Sequence, residues 1–238
     1  MTVFNPMLDK HIRRSPLVPT LPNKLDRSFM PRSFPIMLGS SKDEGLSSAL
    51  AIFLRDQAHF SSPESLKSHL LPKLMVSLFG EYKGSRQELV EAAFRQYFAE
   101  VKTGAIEETV SALGEMLGDV LVNSCLRETI LLHREHGSPI YSYVFSHAGL
   151  YFIFLLLFHL KNLSGHESQP NINLGRMSGL FTRQTPGEIG YQDSHVWRGD
   201  DLLYVWQMEG QTDHNTRIED KLISQNMTSI LATFAKTG

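Results

Sequence analysis

The sequence predicts an α/β protein in which two parallel strands are joined by a long helical crossover. Two short apolar runs, Pro35–Leu38 and Ile140–Phe145, are bounded by glycine and proline and have the composition of buried strands. Between them, apolar residues recur at helical spacing over most of the sequence. Crossovers of this kind join parallel strands of one sheet. The length of 238 residues fits one large domain.

A loop with two adjacent carboxylates is predicted directly after the first strand. The strand is expected to end at Gly39, and the loop reads Ser40-Ser41-Lys42-Asp43-Glu44-Gly45. Functional side chains are often presented on loops that a rigid scaffold positions, so Asp43 or Glu44 fits the place of an active-site acid. A pair of solvated turn residues fits the same three letters, D-E-G. The pattern alone leaves both interpretations open.

Four helices are predicted between the strands, and their apolar stripes are expected to form the core. Two of them carry start signals, Ser62 followed by Pro63 and the capping box of Ser85 with Glu88. Gly137 is expected to end the last one. The predicted helices cover Leu46–Phe60, Pro63–Phe79 with a kink at Pro72, the segment from Ser85 to Val101, and Ile106–His136.

The stretch Asp193–Trp206 (DSHVWRGDDLLYVW) is predicted to be a loop that leads into a short helix. Gly199 breaks the pattern, and Asp200 is expected at the N-cap or in the first turn, where a carboxylate accepts from unpaired amides. Residues 161–192 before it are predicted as a long irregular loop. A terminal helix is predicted over Arg217–Lys236, with a buried face formed by Ile218, Leu222, Ile223, Met227, Ile230, Leu231 and Phe234.

Composition excludes several classes of function. The net charge of -2 provides no basic surface, so nucleic acid is not an expected partner. No signal peptide follows Met1. The longest apolar run, Gly149–Leu160, is shorter than the roughly 20 residues that cross a bilayer, so we predict buried core there and no transmembrane segment.

Three residues carry modification chemistry. Cys125 is the only cysteine, so no disulfide forms within the 238 residues. A single cysteine is consistent with a reducing compartment and also with a partner cysteine outside this sequence. Asn162 and Asn226 begin N-x-S/T triplets, which accept glycans only in a secreted protein.

Several motifs in fixed order resemble the C-terminal half of type-B carboxylesterases. They are FNPMLD, PIMLGSSKDEG, the segment from Gly118 to Cys125, GSPIYSYVFSH, GDDLLYVW and FAKTG. This group includes cholinesterases, juvenile hormone esterases and cholinesterase-like adhesion proteins. The resemblance implies that residues 1–238 form the C-terminal part of an α/β-hydrolase domain, helix-rich and with the last strands of its sheet.

The resemblance also implies acyl transfer by a serine, a histidine and a carboxylate. The acid of the family lies in the D-E-G loop, and Glu44 matches it. The family's serine turn, G-x-S-x-G, does not occur among the 238 residues. The family therefore places the nucleophile in an N-terminal half, before Met1.

Arg198 stands at the position of the family's catalytic histidine. The family pattern is H-G-D-D-L or H-A-D-E-L, and this chain has Arg198-Gly199-Asp200-Asp201-Leu202. An arginine cannot accept a proton, although it could pair with Glu44. His195, three residues upstream, is the fallback base, but a shift of the loop by that much would misplace it.

No metal or cofactor is predicted. Asp193, His195, Asp200 and Asp201 could form a metal site, but alternate residues on a loop are weak evidence for one. We expect His133, His136 and His147 to be helix-end or loop residues.

Three functions remain open on these grounds. The chain is part of a serine esterase that needs an N-terminal half, a non-catalytic extracellular recognition module with a protein partner, or a carrier for small apolar esters with Tyr151–Phe158 on its pocket wall.

By resemblance Cys125 matches a cysteine that pairs near the C-terminus in several cholinesterases, and both ends of the chain look cut. The family implies secretion, whereas a complete product without a signal peptide would be cytoplasmic.

Overall fold

The computed structural model describes residues 9–12, 14–15, 34–60, 62–80, 82–102, 105–148, 195–206 and 218–238. Within these ranges it is helix-rich with a small parallel sheet. The strands are β1 (Ile36–Ser41) and β2 (Ile140–Phe145). The helices are α1 (Leu46–Arg55), α2 (Pro63–Ser65), α3 (Leu71–Phe79), α4 (Arg86–Ala93), α5 (Ile106–Gly118), α6 (Ser124–Glu135), α7 (Asp200–Val205) and α8 (Ile218–Thr237).

The two predicted strands pair in parallel, with Ile36 opposite Ile140 and Ser41 opposite Phe145. The helical crossover between them is therefore confirmed, as are the bounds of β2. The predicted end of β1 at Gly39 is wrong, because the strand continues to Ser41. Gly39 pairs with Tyr143, and a Cβ on Gly39 would overlap the Tyr143 ring. The glycine is there to make room for the ring and does not end the strand.

The main core lies between α1 and α5 and the shorter helices around them. The start of α1 approaches α5 so closely that a Cβ on Gly45 would collide with the backbone of Gly114 and Gly118. Because Gly45 directly follows Glu44, this contact also fixes the position of the acidic loop. The large buried side chains of the main core are Leu46, Leu50, Phe53, Phe60, Leu66, Leu70, Leu71, Met75, Phe98, Leu113, Met116, Leu117 and Trp197.

Three π-helical turns interrupt the predicted helices. They cover Leu66–Leu70, Phe94–Phe98 and Asp119–Asn123. The first of these turns directly precedes α3, so Pro72, where a kink is expected, falls in the first turn of that helix, where a missing backbone donor costs little. The helix predicted to Phe60 ends at Arg55 and is followed by a 3-10 turn, Gln57–Phe60.

The predicted start and stop signals are confirmed. The Ser62 side chain accepts from the Ser65 amide, and the Ser85 side chain accepts from the Glu88 amide. Gly137, just beyond α6, has a φ of 74°, the left-handed conformation that glycine adopts readily.

The terminal helix α8 forms as predicted, but most of its apolar face is not buried. Ile218 is 87% exposed, Leu222 55% and Ile230 53%. Ile223 and Met227 pack against a second, smaller cluster, Phe145, Val196, Leu203 and Tyr204. Of the described helices, none is long and apolar enough to cross a membrane.

We expect Gly45→Ala to lower the free energy of unfolding by roughly 1–3 kcal/mol, because the added methyl group must push α1 away from the backbone of α5. Urea denaturation followed by circular dichroism measures this. Gly84→Ala is the matched control, since a Cβ on Gly84 would meet only the side chain of Tyr82. Equal stability of the two variants would contradict the close approach.

Candidate functional site

Glu44 lies at the carboxyl end of β1, in the loop where the sequence predicts an acid. Its side chain is 8% exposed, and Oε1 accepts from the Ser41 amide over 2.7 Å. The loop is also anchored to the neighbouring strand, because the Lys42 amide donates to the Phe145 carbonyl. A charge-assisted hydrogen bond to the backbone holds the carboxylate in one orientation.

The stretch from His195 to Asp200 docks onto this acidic loop through Asp43. The Asp43 amide donates to the Val196 carbonyl over 2.9 Å, and the Val196 amide donates to Asp43 Oδ2 over 2.8 Å. Asp43 and Trp197 form an isolated parallel bridge. The fold thus brings together the two segments that the sequence singled out, although 153 positions separate Asp43 from Val196.

Arg198 faces the predicted acid. Its Nε lies 3.9 Å from Glu44 Oε2, and its side chain is 66% exposed. An exposed ion pair at this distance contributes little to stability. Its effect on the site is positional, because the guanidinium stands beside the Glu44 oxygen that the Ser41 amide does not use.

His195 pairs with Asp43 and not with Glu44. The distance from His195 Nδ1 to Asp43 Oδ2 is 3.4 Å, and both side chains are partly buried. Burial raises the pKa of Asp43, but the hydrogen bonds from His195 and the Val196 amide outweigh it, so the pKa lies below its ordinary value. The sequence does not predict Asp43 as the partner of His195. The one feature of the sequence that could have pointed to Asp43 is its position next to Glu44.

Asp200 is a buried carboxyl group at the start of α7. It is 3% exposed, and Oδ2 accepts from the Trp197 amide over 2.7 Å. Oδ1 has no hydrogen-bond partner among the described residues. Burial, reinforced by the nearby Asp201, Asp43 and Glu44 and opposed by the hydrogen bond from the Trp197 amide, raises the pKa of Asp200 to about 6.

The turn before α7 supports this geometry. Gly199 occupies the N-cap with a φ of 85°, a conformation that suits glycine and few other residues. Asp200 is therefore in the first turn, one of the two places predicted. Asp201, the next residue of the helix, accepts from the Tyr143 hydroxyl over 2.9 Å. Burial and this bond raise the pKa of Tyr143 to about 12, so the phenol stays a neutral donor.

A cavity of about 280 Å³ opens at the site. Asp43, Glu44 and His195 line one side of it, and the α5 side contributes Ser111, Gly114, Glu115, Gly118, Asp119 and Asn123. A carboxylate, an imidazole and a second carboxylate thus face a common space. Among the described residues, the partner of the His195 ring is Asp43 and not a serine.

The other predicted residues lie apart from this cavity or outside the described ranges. Cys125 is exposed on α6 and Asn226 is exposed on α8. Asn162, Asp193 and the run Gly149–Leu160 with Tyr151–Phe158 lie outside the described residues. Among those that are described, no group of three histidine, cysteine, aspartate or glutamate side chains could hold a metal ion.

His147, His133 and His136 occupy strand or helix ends, as expected. His147 follows β2, and its Nε2 lies 2.8 Å from Asp220 Oδ1. Asp220 is 1% exposed and also accepts from the Tyr204 hydroxyl over 3.0 Å. This pair fastens α8 to the rest of the fold and is not part of the cavity.

We expect Asp200→Asn to flatten the pH dependence of stability. The folded-state pKa of about 6 lies above the ordinary value of 3.8, so between these values the folded state binds more protons than the unfolded state. The free energy of unfolding therefore falls as the pH rises through this window. Between about pH 4 and pH 7.5 the fall should be smaller in Asp200→Asn by roughly 1–3 kcal/mol. Urea denaturation at both pH values measures it, and parallel slopes for the two proteins would contradict the assignment.

One comparison with known proteins agrees with the motifs, and two find no match. No curated protein and no solved structure matches the chain. The sequence model of the carboxylesterase family matches residues 1–238, which is the full length given. That family has the α/β-hydrolase fold, to which the two parallel strands and their helical crossover conform. The chain belongs to the carboxylesterase family.

Proposed function

We propose that this chain is the C-terminal, acid-bearing part of a carboxylesterase domain and that it does not hydrolyse esters on its own. The observation that carries the proposal is the 3.9 Å approach of Arg198 Nε to Glu44 Oε2. In the family a histidine ring would stand at that place and be oriented by this carboxylate. A guanidinium has no lone pair with which to take a proton from a nucleophile.

The surroundings of Glu44 leave no place for His195 as a substitute. One carboxylate oxygen is used by the Ser41 amide, and the other is beside Arg198. The His195 ring pairs with the neighbouring carboxylate, Asp43, at 3.4 Å. Moving His195 to Glu44 would break the hydrogen bonds between Val196 and Asp43.

The pairing of His195 with Asp43 favours a second candidate function, ester hydrolysis with a displaced dyad. Asp43 would orient the ring through Nδ1, and Nε2 would accept the proton of a serine supplied by the N-terminal half of the domain. Both side chains line the cavity. This candidate requires the serine to approach the His195 ring, and not a ring at position 198 that Glu44 would orient.

A non-catalytic carboxylesterase domain would serve recognition or the binding of small apolar esters. Exposed apolar side chains support a protein partner in such a role. Four large ones are Tyr141, Val144, Leu202 and Trp206, exposed by 46%, 66%, 55% and 68%. Secretion, with glycans on Asn162 and Asn226, belongs to the same proposal, and Asn226 is exposed on α8.

The test joins the chain to the N-terminal half of an active family member that carries the serine turn. We expect the joined domain to hydrolyse p-nitrophenyl acetate no faster than its Glu44→Ala variant. Arg198→His should raise the rate by about a hundredfold or more, since it restores a general base beside Glu44. Gel filtration and circular dichroism show whether the halves have assembled.

His195→Ala and Asp43→Asn distinguish the two candidates. In the proposed function neither changes the activity gained by Arg198→His. If the joined domain is active as it stands and either substitution abolishes that activity, the displaced dyad is correct. The chain alone, assayed in parallel, should match its own Glu44→Ala variant.

A further inference from the structure

A second cavity, of about 360 Å³, lies between α3, the α4 segment and the end of α5. It shares no lining residue with the cavity at Glu44. Its volume is at the lower end of the range for small-molecule pockets. We call it the α3–α5 groove, and ligand binding there does not depend on the proposed function.

The floor and walls of the α3–α5 groove are apolar. Met75 and Met116 form the floor and are 3% and 1% exposed. Leu89, Val120 and Phe79 line the sides, and Phe79 is 37% exposed. Methionine side chains adapt their shape to an apolar ligand, so the floor can follow a flexible chain.

Two π-helical turns meet at this groove. Phe94–Phe98 contributes Arg95, Gln96 and Tyr97, and Asp119–Asn123 contributes Val120. The turns are tied together, because the Tyr97 hydroxyl donates to Asp119 Oδ2 over 2.9 Å. Burial and this bond raise the pKa of Tyr97 to about 12, so the tie persists at neutral pH. Turns of this type are rare in helices and often lie at functional sites.

Arg95 places a positive charge at the rim. Its side chain is exposed, and in the described part of the chain it makes no ion pair. The neighbouring acid, Glu91 on α4, forms a 2.6 Å ion pair with Lys67, and the pKa of Glu91 lies below its ordinary value because of Lys67 and, to a smaller extent, Arg95. An apolar groove with an exposed guanidinium at its edge is complementary to a molecule with an apolar chain and an anionic head.

We propose that the α3–α5 groove binds a single-chain amphipathic anion, a medium-chain fatty carboxylate. The chain lies over Met75 and Met116, and the carboxylate accepts from Arg95, with the Gln96 amide beside it. The groove is thus a ligand site separate from the one at Glu44.

Isothermal titration calorimetry of the full 238-residue chain tests this with three probes of equal chain length: decanoate below its micellar concentration, decanol and decyltrimethylammonium. We expect saturable binding of one decanoate, weaker binding of decanol, and the weakest binding of the cation. Arg95→Gln should weaken decanoate binding by roughly three- to tenfold and leave decanol unchanged, because only the carboxylate uses the guanidinium. Added salt should weaken decanoate binding alone.

Two matched controls locate the site. Arg127→Gln removes an exposed arginine of α6, outside the groove, and should have no effect. Ala92→Phe fills the groove and should weaken both decanoate and decanol, whereas Ala232→Phe on exposed α8 should weaken neither. Circular dichroism verifies that each variant is folded.

Three outcomes would overturn the proposal. They are decanoate binding that does not saturate, equal effects of Arg95→Gln and Arg127→Gln, and self-association that Ala92→Phe abolishes without any decanoate binding. The last result would make the groove an interface between two copies of the chain.

Discussion

The site depends on one set of hydrogen bonds, those that Asp43 makes with Val196. The Asp43 backbone donates to the Val196 carbonyl, and its side chain accepts from the Val196 amide. Since both contacts use the backbone of the 195–200 stretch, they set its register against the acidic loop. That register puts His195 beside Asp43 and Arg198 beside Glu44. A shift by even one residue would exchange the side chains that face the cavity.

The site is acidic, and its carboxyl groups affect the pKa of Asp200. Asp43, Glu44, Asp200 and Asp201 converge on the start of α7, and their mutual repulsion adds to burial in raising the pKa of Asp200 to about 6. Arg198 lies beside this negative cluster. Its charge adds little to stability, because the side chain is 66% exposed and its Nε lies 3.9 Å from Glu44 Oε2.

Much of the fold could be predicted from local patterns. The β2 bounds, the caps at Ser62 and Ser85 and the parallel crossover all rest on residue spacing and turn chemistry, which act within a few positions. The extension of β1 through Gly39 could not be predicted from local patterns, because it depends on the Tyr143 ring of the neighbouring strand. The exposed face of α8 was unpredictable for a related reason. Apolar spacing marks a face, but only tertiary packing decides whether that face is covered.

At the site, the sequence and the family resemblance identified Glu44 and Arg198, and the structure brings them to 3.9 Å. The partner of His195 could not be predicted, since Asp43 and Glu44 are adjacent and only the docking of the 195–200 stretch selects between them.

A double-mutant cycle of unfolding free energies tests most directly whether His195 pairs with Asp43 or with Glu44. Asp43→Asn and His195→Ala should be coupled by about 0.5 kcal/mol, and Glu44→Gln with His195→Ala should be additive. Coupling of His195 to Glu44 and not to Asp43 would contradict this register.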